Sequence, residues 1–305
     1  MHIIKTQNFT LDFLDRIFKL TIEMKRIASK GGSDILKGKI IATFFAEEST
    51  RTRLSFESAA LRLGAGVISS ANARQFSSVA KGEILEDTIR VLDKYADCIV
   101  IRYHEEGGAA RAAHVSKVPI INSGDGSGQH PTQALLDLFT IKNELGQIDD
   151  LKVALVGDLK NGRTIHSLAY LLGKYKNITL CLVSPDSLMM PQEIIEYLSK
   201  HNVSVEYYNE LEPIIGDIDV LYQTRVQKER FESLEDYENS KECLIVTRDL
   251  ANKMKMDAII MHPLPRVNEI RYGVDDNHRA KYFVQAENGL YLRMALLNYV
   301  ILGEE

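Results

Sequence analysis

Short runs rich in β-branched and aromatic residues alternate with segments of helical period along almost the whole chain. "KIIATFF" reads as a strand and residues 50–63 as a helix. "AGVIS" follows as a strand, then a helix over 83–95 with Ile84, Thr88, Val91, Leu92 and Tyr95 on one face. "DCIVIRY" is a strand, 107–116 an alanine-rich helix, and "VPIINSG" a strand. After "GQIDD" the alternation restarts. "LKVALVGD", "ITLCLVS", "VSVEYY", "DVLYQTR" and "DAIIMHPLP" read as strands, with helices at 163–175 and 191–200. Strands separated by helices pair in parallel, and the helices cover both faces of the sheet. The expected fold is therefore α/β, with two doubly wound parallel-sheet domains and a cleft between them. The expected bounds are 1–131 and 132–287, joined by the helix that starts at Pro131. The last segment, "AENGLYLRMALLNYVILG", carries Leu290, Met294, Leu297 and Ile301 along one side. It is expected, over 288–305, to pack back on the first domain.

Composition excludes some function classes. The 305 residues suffice for two hydrophobic cores, and the net charge of −5 argues against a general nucleic-acid surface. Any anion site must be a local cluster. Cys98, Cys181 and Cys243 are few and scattered, so neither a disulfide framework nor a cysteine-based zinc site is expected. A reducing cytoplasm suits them. The first residues are amphipathic and acid-bearing, unlike a signal peptide. No apolar run approaches the roughly 20 residues that span a bilayer.

The loops after the strands carry the polar chemistry. In "AEESTRTR", Ser49, Thr50, Arg51, Thr52 and Arg53 follow an apolar strand and open a helix striped by Phe56, Ala60 and Leu63. Gly64 suits the helix end. Read alone, this is a capped helix with solvated arginines, or an anion site built from helix-start amides, hydroxyls and a forked cation. It is not a Walker loop, and "GDGSGQHP" lacks the third glycine of a dinucleotide fingerprint. "ANARQFSSVAKGE" offers Arg74, Ser77, Ser78 and Lys81, Arg102 closes a strand, and "GQHPTQ" sets His130 and Gln133 at a helix start. In the second half come Asp158 and Arg163, then Arg225, Gln227, Lys228 and Arg230, then His262, Leu264, Pro265 and Arg266. Each could be a surface loop. Together they place cations at strand ends of both halves of an acidic protein, where open α/β sheets bind ligands.

"STRTR" and "HPTQALLDL" resemble the two signatures of the aspartate/ornithine carbamoyltransferase family, and the likeness runs the length of the chain. "SSVAKGE", "TRVQKER" and "HPLPR" resemble the aspartate branch, whereas the His-Cys-Leu-Pro and Ser-Met-Gly segments of the ornithine branch are missing. The resemblance implies that Ser49, Thr50, Arg51 and Thr52 hold the phosphate of carbamoyl phosphate. Thr52, Arg102 and His130 would approach its carbonyl oxygen. Gln133 and the backbone carbonyls of Leu264 and Pro265 would take its amino group. Arg163 and Arg225, assisted by Gln227 and Leu264, would clamp the carboxylates of L-aspartate. From a neighbouring subunit of a homotrimer, Lys81 would reach both ligands and Ser77 carbamoyl phosphate.

The resemblance further implies carbamoyl transfer to L-aspartate with no metal and no organic cofactor, a closing motion of the domains, and a cytoplasmic enzyme. It leaves regulatory chains open as partners. Competing readings are transfer to ornithine or a related amine, and a non-catalytic relative used for assembly. The first is disfavoured by two arginines and a glutamine suited to a diacid, the second by intact signatures. A nicotinamide-dependent oxidoreductase lacks its glycine motif.

Overall fold

The structure, a computed structural model, describes residues 1–71, 82–225 and 244–303. It divides into two compact units, Met1–Leu136 with Glu287–Glu305, and Asp137–Ala286.

In the first unit, helix α1 (Leu11–Ser29) is capped by Thr10, whose side chain accepts from the backbone N–H of Phe13. Four strands follow, β1 (Ile40–Phe45), β2 (Gly66–Ser70), β3 (Cys98–Tyr103) and β4 (Ile120–Asp125). They form a parallel sheet in the order β2-β1-β3-β4. Helices α2 (Thr50–Arg62), α3 (Leu85–Leu92) and α4 (Gly108–Val115) make the crossovers, and α5 (Pro131–Leu145) leaves the unit. Alternate residues serve opposite faces. Ala42, Phe44, Ile99, Ile101 and Ile120 pack with Leu85 and Ile89 of α3 and Ala109 and Ala112 of α4. Ile41, Phe45, Cys98, Val100 and Ile121 are buried too. Burial of both faces is why these strands read as unbroken apolar runs.

One expectation holds only in part in α3. Thr88 is buried and Leu92 packs partly buried against the core as expected, but Leu85 and Ile89 join them while Ile84, Val91 and Tyr95 are exposed. Two apolar stripes run side by side on this segment, and the core takes the one centred a single residue further on. The helix is also shorter than the expected 83–95, ending at Leu92.

The second unit holds β5 (Lys152–Val156), β6 (Thr179–Val183), β7 (Ser204–Tyr208), β8 (Val220–Gln223) and β9 (Ile259–Met261). They are parallel in the order β7-β6-β5-β8-β9. Helices α6 (Arg163–Leu172), α7 (Gln192–Lys200) and α8 (Arg248–Asn252) lie between strands. A core of Val156, Val183, Leu221, Ile260 and Tyr282 covers one face. Helix α9 (Tyr282–Leu302) begins in this unit and ends in the first. There Tyr299 stacks edge-on against Phe13, and the Arg293 guanidinium lies 5.2 Å from the centre of the Phe56 ring.

A buried polar chain braces the second unit. Asp137, fully buried, accepts from the Tyr222 hydroxyl at 2.7 Å and from Gln285 Nε2 at 2.6 Å. Gln285 Oε1 in turn accepts from the backbone N–H of His262 at 2.9 Å. Burial and the Asp137 charge push the Tyr222 hydroxyl well above its usual range, so it stays a donor. Tyr222→Phe leaves a buried carboxylate oxygen short of a donor and is expected to cost about 1–3 kcal/mol. Urea unfolding of the variant against the parent measures it, and equal midpoints contradict the bracing role.

Candidate active site

In the first sheet β1 connects to β2 on one side and β3 lies on the other, so the strand order reverses between β1 and β3. Open α/β sheets take their ligands at such a reversal, outside the strands' carboxyl ends. Of the described sequence-predicted residues of this half, Ser49 to Thr52 follow β1 and Arg102 lies near the end of β3, while His130 and Gln133 follow β4. Phe45, the last residue of β1, is in register with Arg102 of β3, and the Ala46 N–H extends the ladder to the Arg102 carbonyl at 2.8 Å. Ser49, at the N-cap of α2, has extended backbone, and its side chain makes no cap bond. Thr52 is buried and Arg51 exposed in the first turn. Partial desolvation lowers the Arg51 pKa from its usual value, a direction that a bound anion would oppose. The free N–H groups and dipole of the helix start point the same way.

Arg102 is held by Glu47 at 3.3 Å and by the carbonyl of Ser123 at 3.4 Å. Nothing in "AEES" distinguishes Glu47 from its neighbour, so the sequence alone does not mark it. His130, 4% exposed, precedes Pro131 and opens α5, its carbonyl accepting from Gln133 and Ala134. Thr132 Oγ1 lies 3.4 Å from His130 Nδ1. Gln133 is buried one turn on. The loop before His130 is tied down on both sides. Asp125 Oδ1 accepts from the Gln129 N–H and from Asn122, and Asp125 Oδ2 from the Gly107 N–H. Gln129 Oε1 accepts both the N–H and the hydroxyl of Thr6, at 2.8 and 2.9 Å. Gly126 is required here. Its φ is +49°, and a Cβ would meet the Glu106 nitrogen at 2.7 Å. Arg53 turns away, toward Ser69 of the edge strand and Glu57.

The second sheet has its own reversal, between β5 and β8. Arg163 opens α6 beyond β5, and Arg225 lies two residues beyond β8. Asp158 organises the first of these turns by accepting from the N–H and side chain of Asn161 at 3.0 and 3.1 Å. His166 Nε2 donates to the Leu159 carbonyl at 2.7 Å, fastening the same loop to the helix. Gly157 has φ +117°, and a Cβ there would lie 2.5 Å from the Thr224 carbonyl oxygen, so only glycine lets the two loops approach.

Beyond β9, Leu264 and Pro265 are joined by a cis peptide bond, and Leu264 has φ +55°. His262 fixes this turn, with Nε2 2.8 Å from Glu269 Oε1 and Nδ1 2.7 Å from the Leu264 nitrogen. Arg266 is not an available cation. Its guanidinium is bound by both oxygens of Asp275 and by the Tyr282 hydroxyl, among the rings of Tyr272, Tyr282 and Phe283. Arg74, Ser77, Ser78 and Lys81, and likewise Gln227, Lys228 and Arg230, lie outside the described residues.

Residues 1–143 match the carbamoyl-P binding domain of aspartate/ornithine carbamoyltransferase, and residues 149–300 its Asp/Orn binding domain. The chain belongs to the aspartate/ornithine carbamoyltransferase family. It is 52% identical over 303 residues to aspartate carbamoyltransferase 1, chloroplastic, of Pisum sativum, covering 99% of this chain and 78% of that one. Among solved structures, the catalytic subunit of M. jannaschii aspartate transcarbamoylase is similar with TM-score 0.93 at 48% identity, covering 99% of this chain and 98% of that one. Aspartate transcarbamoylase from Trypanosoma cruzi, solved in complex with N-(phosphonacetyl)-L-aspartic acid, gives TM-score 0.93 at 39% identity over 98% and 95% of the two chains.

Burial pushes the Glu269 carboxyl up, but the His262 hydrogen bond and backbone N–H groups outweigh it and hold its pKa at about 2 against 4.5. The folded carboxyl thus ionises at lower pH than the unfolded one. Its contribution, about 2–4 kcal/mol, is complete above about pH 5 and fades as pH falls toward 2. Urea unfolding across that range checks this. The parent should lose more stability than Glu269→Gln, and parallel declines contradict the assignment.

Proposed function

We propose that the chain transfers the carbamoyl group of carbamoyl phosphate to the α-amine of L-aspartate. The products are N-carbamoyl-L-aspartate and phosphate, an early step of pyrimidine synthesis. One observation carries the reading. Each sheet presents its cations at its own strand-order reversal, with hydroxyls and helix amides around Arg51 in the first unit, and Arg163 with Arg225 in the second. The first set suits a phosphate and the second a dicarboxylate. An arginine fork grips two oxygens, where lysine offers only a point charge. A cationic acceptor such as ornithine would meet two like charges.

The phosphate oxygens take the α2 amides, Ser49, Thr50, Thr52 and Arg51. The carbonyl oxygen faces Thr52, Arg102 and His130. As the aspartate amine attacks the carbonyl carbon, negative charge grows on that oxygen, where pre-aimed donors are worth most. Gln133 and the carbonyls of Leu264 and Pro265, acceptors by nature, hold the carbamoyl amino hydrogens. The bond from carbon to the phosphate oxygen then breaks. The departing phosphate takes the proton from the amine, so no protein carboxylate is needed as a base. Lys81 and Ser77 complete the phosphate side and Gln227 the aspartate side. Positioning and electrostatics supply most of the rate.

The active form is a homotrimer with shared sites. Edge strand β2 leads directly into the segment carrying Ser77 and Lys81. Leu54, Leu61, Ile68, Ile84, Val91 and Tyr95 of the same unit are exposed, an apolar set suited to contact between chains. We assign the enzyme to a reducing cytoplasm, which suits the free, buried Cys98 and Cys181. The pea relative is named chloroplastic. No helix among the described residues is long and apolar enough to cross a membrane.

Purified chain, carbamoyl phosphate and L-aspartate should give carbamoylaspartate, with ornithine a far poorer acceptor. A folded protein that makes no product rejects the proposal. Arg51→Ala should lower kcat by about 10²–10³ or more with an unchanged melting curve. Mixing Arg51→Ala chains with Lys81→Ala chains should restore part of the activity. Mixtures as inactive as their parts overturn the shared site.

A further inference from the structure

The turn beyond β9 is controlled by one imidazole. A backbone N–H can only donate, so His262 Nδ1, 2.7 Å from the Leu264 nitrogen, must be the acceptor and carry no proton. The ring proton therefore sits on Nε2, facing Glu269 Oε1 at 2.8 Å. Glu269 is itself anchored, since its other oxygen accepts the N–H groups of Val267 and Asn268 at 3.1 and 3.0 Å. The His262 N–H is fixed by Gln285. The His262 side chain is 1% exposed, so water does not substitute for these partners. Leu264, by contrast, holds a left-handed backbone, φ +55°, that a leucine rarely adopts without support.

We infer that His262 is a positioning residue, whose Nδ1, oriented by Glu269, holds the Leu264 N–H and thereby aims the Leu264 and Pro265 carbonyls at the substrate. This rests on the carbamoyl-transfer reading for what those carbonyls bind. His262 itself touches no substrate. Glu269 has two functions in one carboxylate. One oxygen selects the imidazole tautomer, and the other closes the loop around it.

Two amide isosteres separate the ring's two nitrogens. Asparagine at 262 can present its oxygen where Nδ1 is and accept the Leu264 N–H, but it cannot reach Glu269. Glutamine can reach Glu269 in the manner of Nε2, but it leaves the Leu264 N–H without its acceptor. His262→Gln should lower kcat by about 10–100-fold with little change in the KM for aspartate, since a misplacement near 1 Å can cost that much. His262→Asn should run about tenfold faster than His262→Gln, a rescue that follows Nδ1 rather than the hydrogen bond to Glu269. A glutamine variant as fast as the asparagine variant, with both melting like the parent, overturns the inference.

A second measurement does not depend on turnover. Residues 263 and 265 are prolines, so Leu264 and Arg266 supply the only backbone amides between 263 and 266. Hydrogen exchange of peptides covering them should be about tenfold faster at Leu264 in His262→Gln and near the parent rate in His262→Asn. Unchanged Leu264 protection in the glutamine variant also overturns the inference. If His262→Gln does not fold, Glu269→Gln replaces it, mispairing the orienting carboxylate while leaving the ring. It should slow turnover and speed Leu264 exchange, and no effect on either sinks the idea. A parent that exchanges as expected but makes no carbamoylaspartate refutes the function and leaves the positioning intact.

Discussion

A parallel sheet buried on both faces leaves chemistry only one place to stand, at the ends of its strands. Both sheets here obey that constraint. Their side chains alternate into apolar layers above and below, so polar groups gather where the ladders stop. Within each sheet all strands run the same way, so its carboxyl ends open on one edge. The order reverses between β1 and β3 in one sheet and between β5 and β8 in the other, and there the crossovers part. The arginines, hydroxyls and histidine that matter all follow from this geometry.

What holds those groups still is less visible than the groups themselves. In each unit a buried carboxylate acts as a hub. Asp125 collects Asn122, Gln129 and Gly107 beneath the loop that ends in His130. Asp137 collects Tyr222 and Gln285. Such hubs are costly to leave half satisfied and rigid when complete. Arg266 belongs to the same class, because its charge is answered within the protein by Asp275 and by surrounding rings. A cation next to a site is thus not always a cation for the ligand.

This separates what was legible in the residues from what was not. The strands were legible because fully buried parallel strands are uniformly apolar, as in "LKVALVGD". The loop chemistry was legible because hydroxyls, amides and forked cations in one turn answer a single demand. The buried face of α3 was not. Its segment carries two neighbouring apolar stripes that share Thr88, and only the packing of α4 and the sheet chooses Leu85 and Ile89 over Ile84, Val91 and Tyr95. The fate of Arg266 was hidden because Asp275 and Tyr282 reach it only once the chain has turned. The support of His130 was hidden for the same reason, since Thr6 meets Gln129 across more than a hundred residues.

The division between the two units does not fall in a linker. It falls inside α5, between Leu136 and Asp137, and again inside α9, between Ala286 and Glu287. A recombination event that exchanged one unit for a relative's would have to splice two helices mid-turn, matching rotational phase and buried stripe at both seams. Exchange of whole units is therefore more demanding in this architecture than where a loop joins two domains.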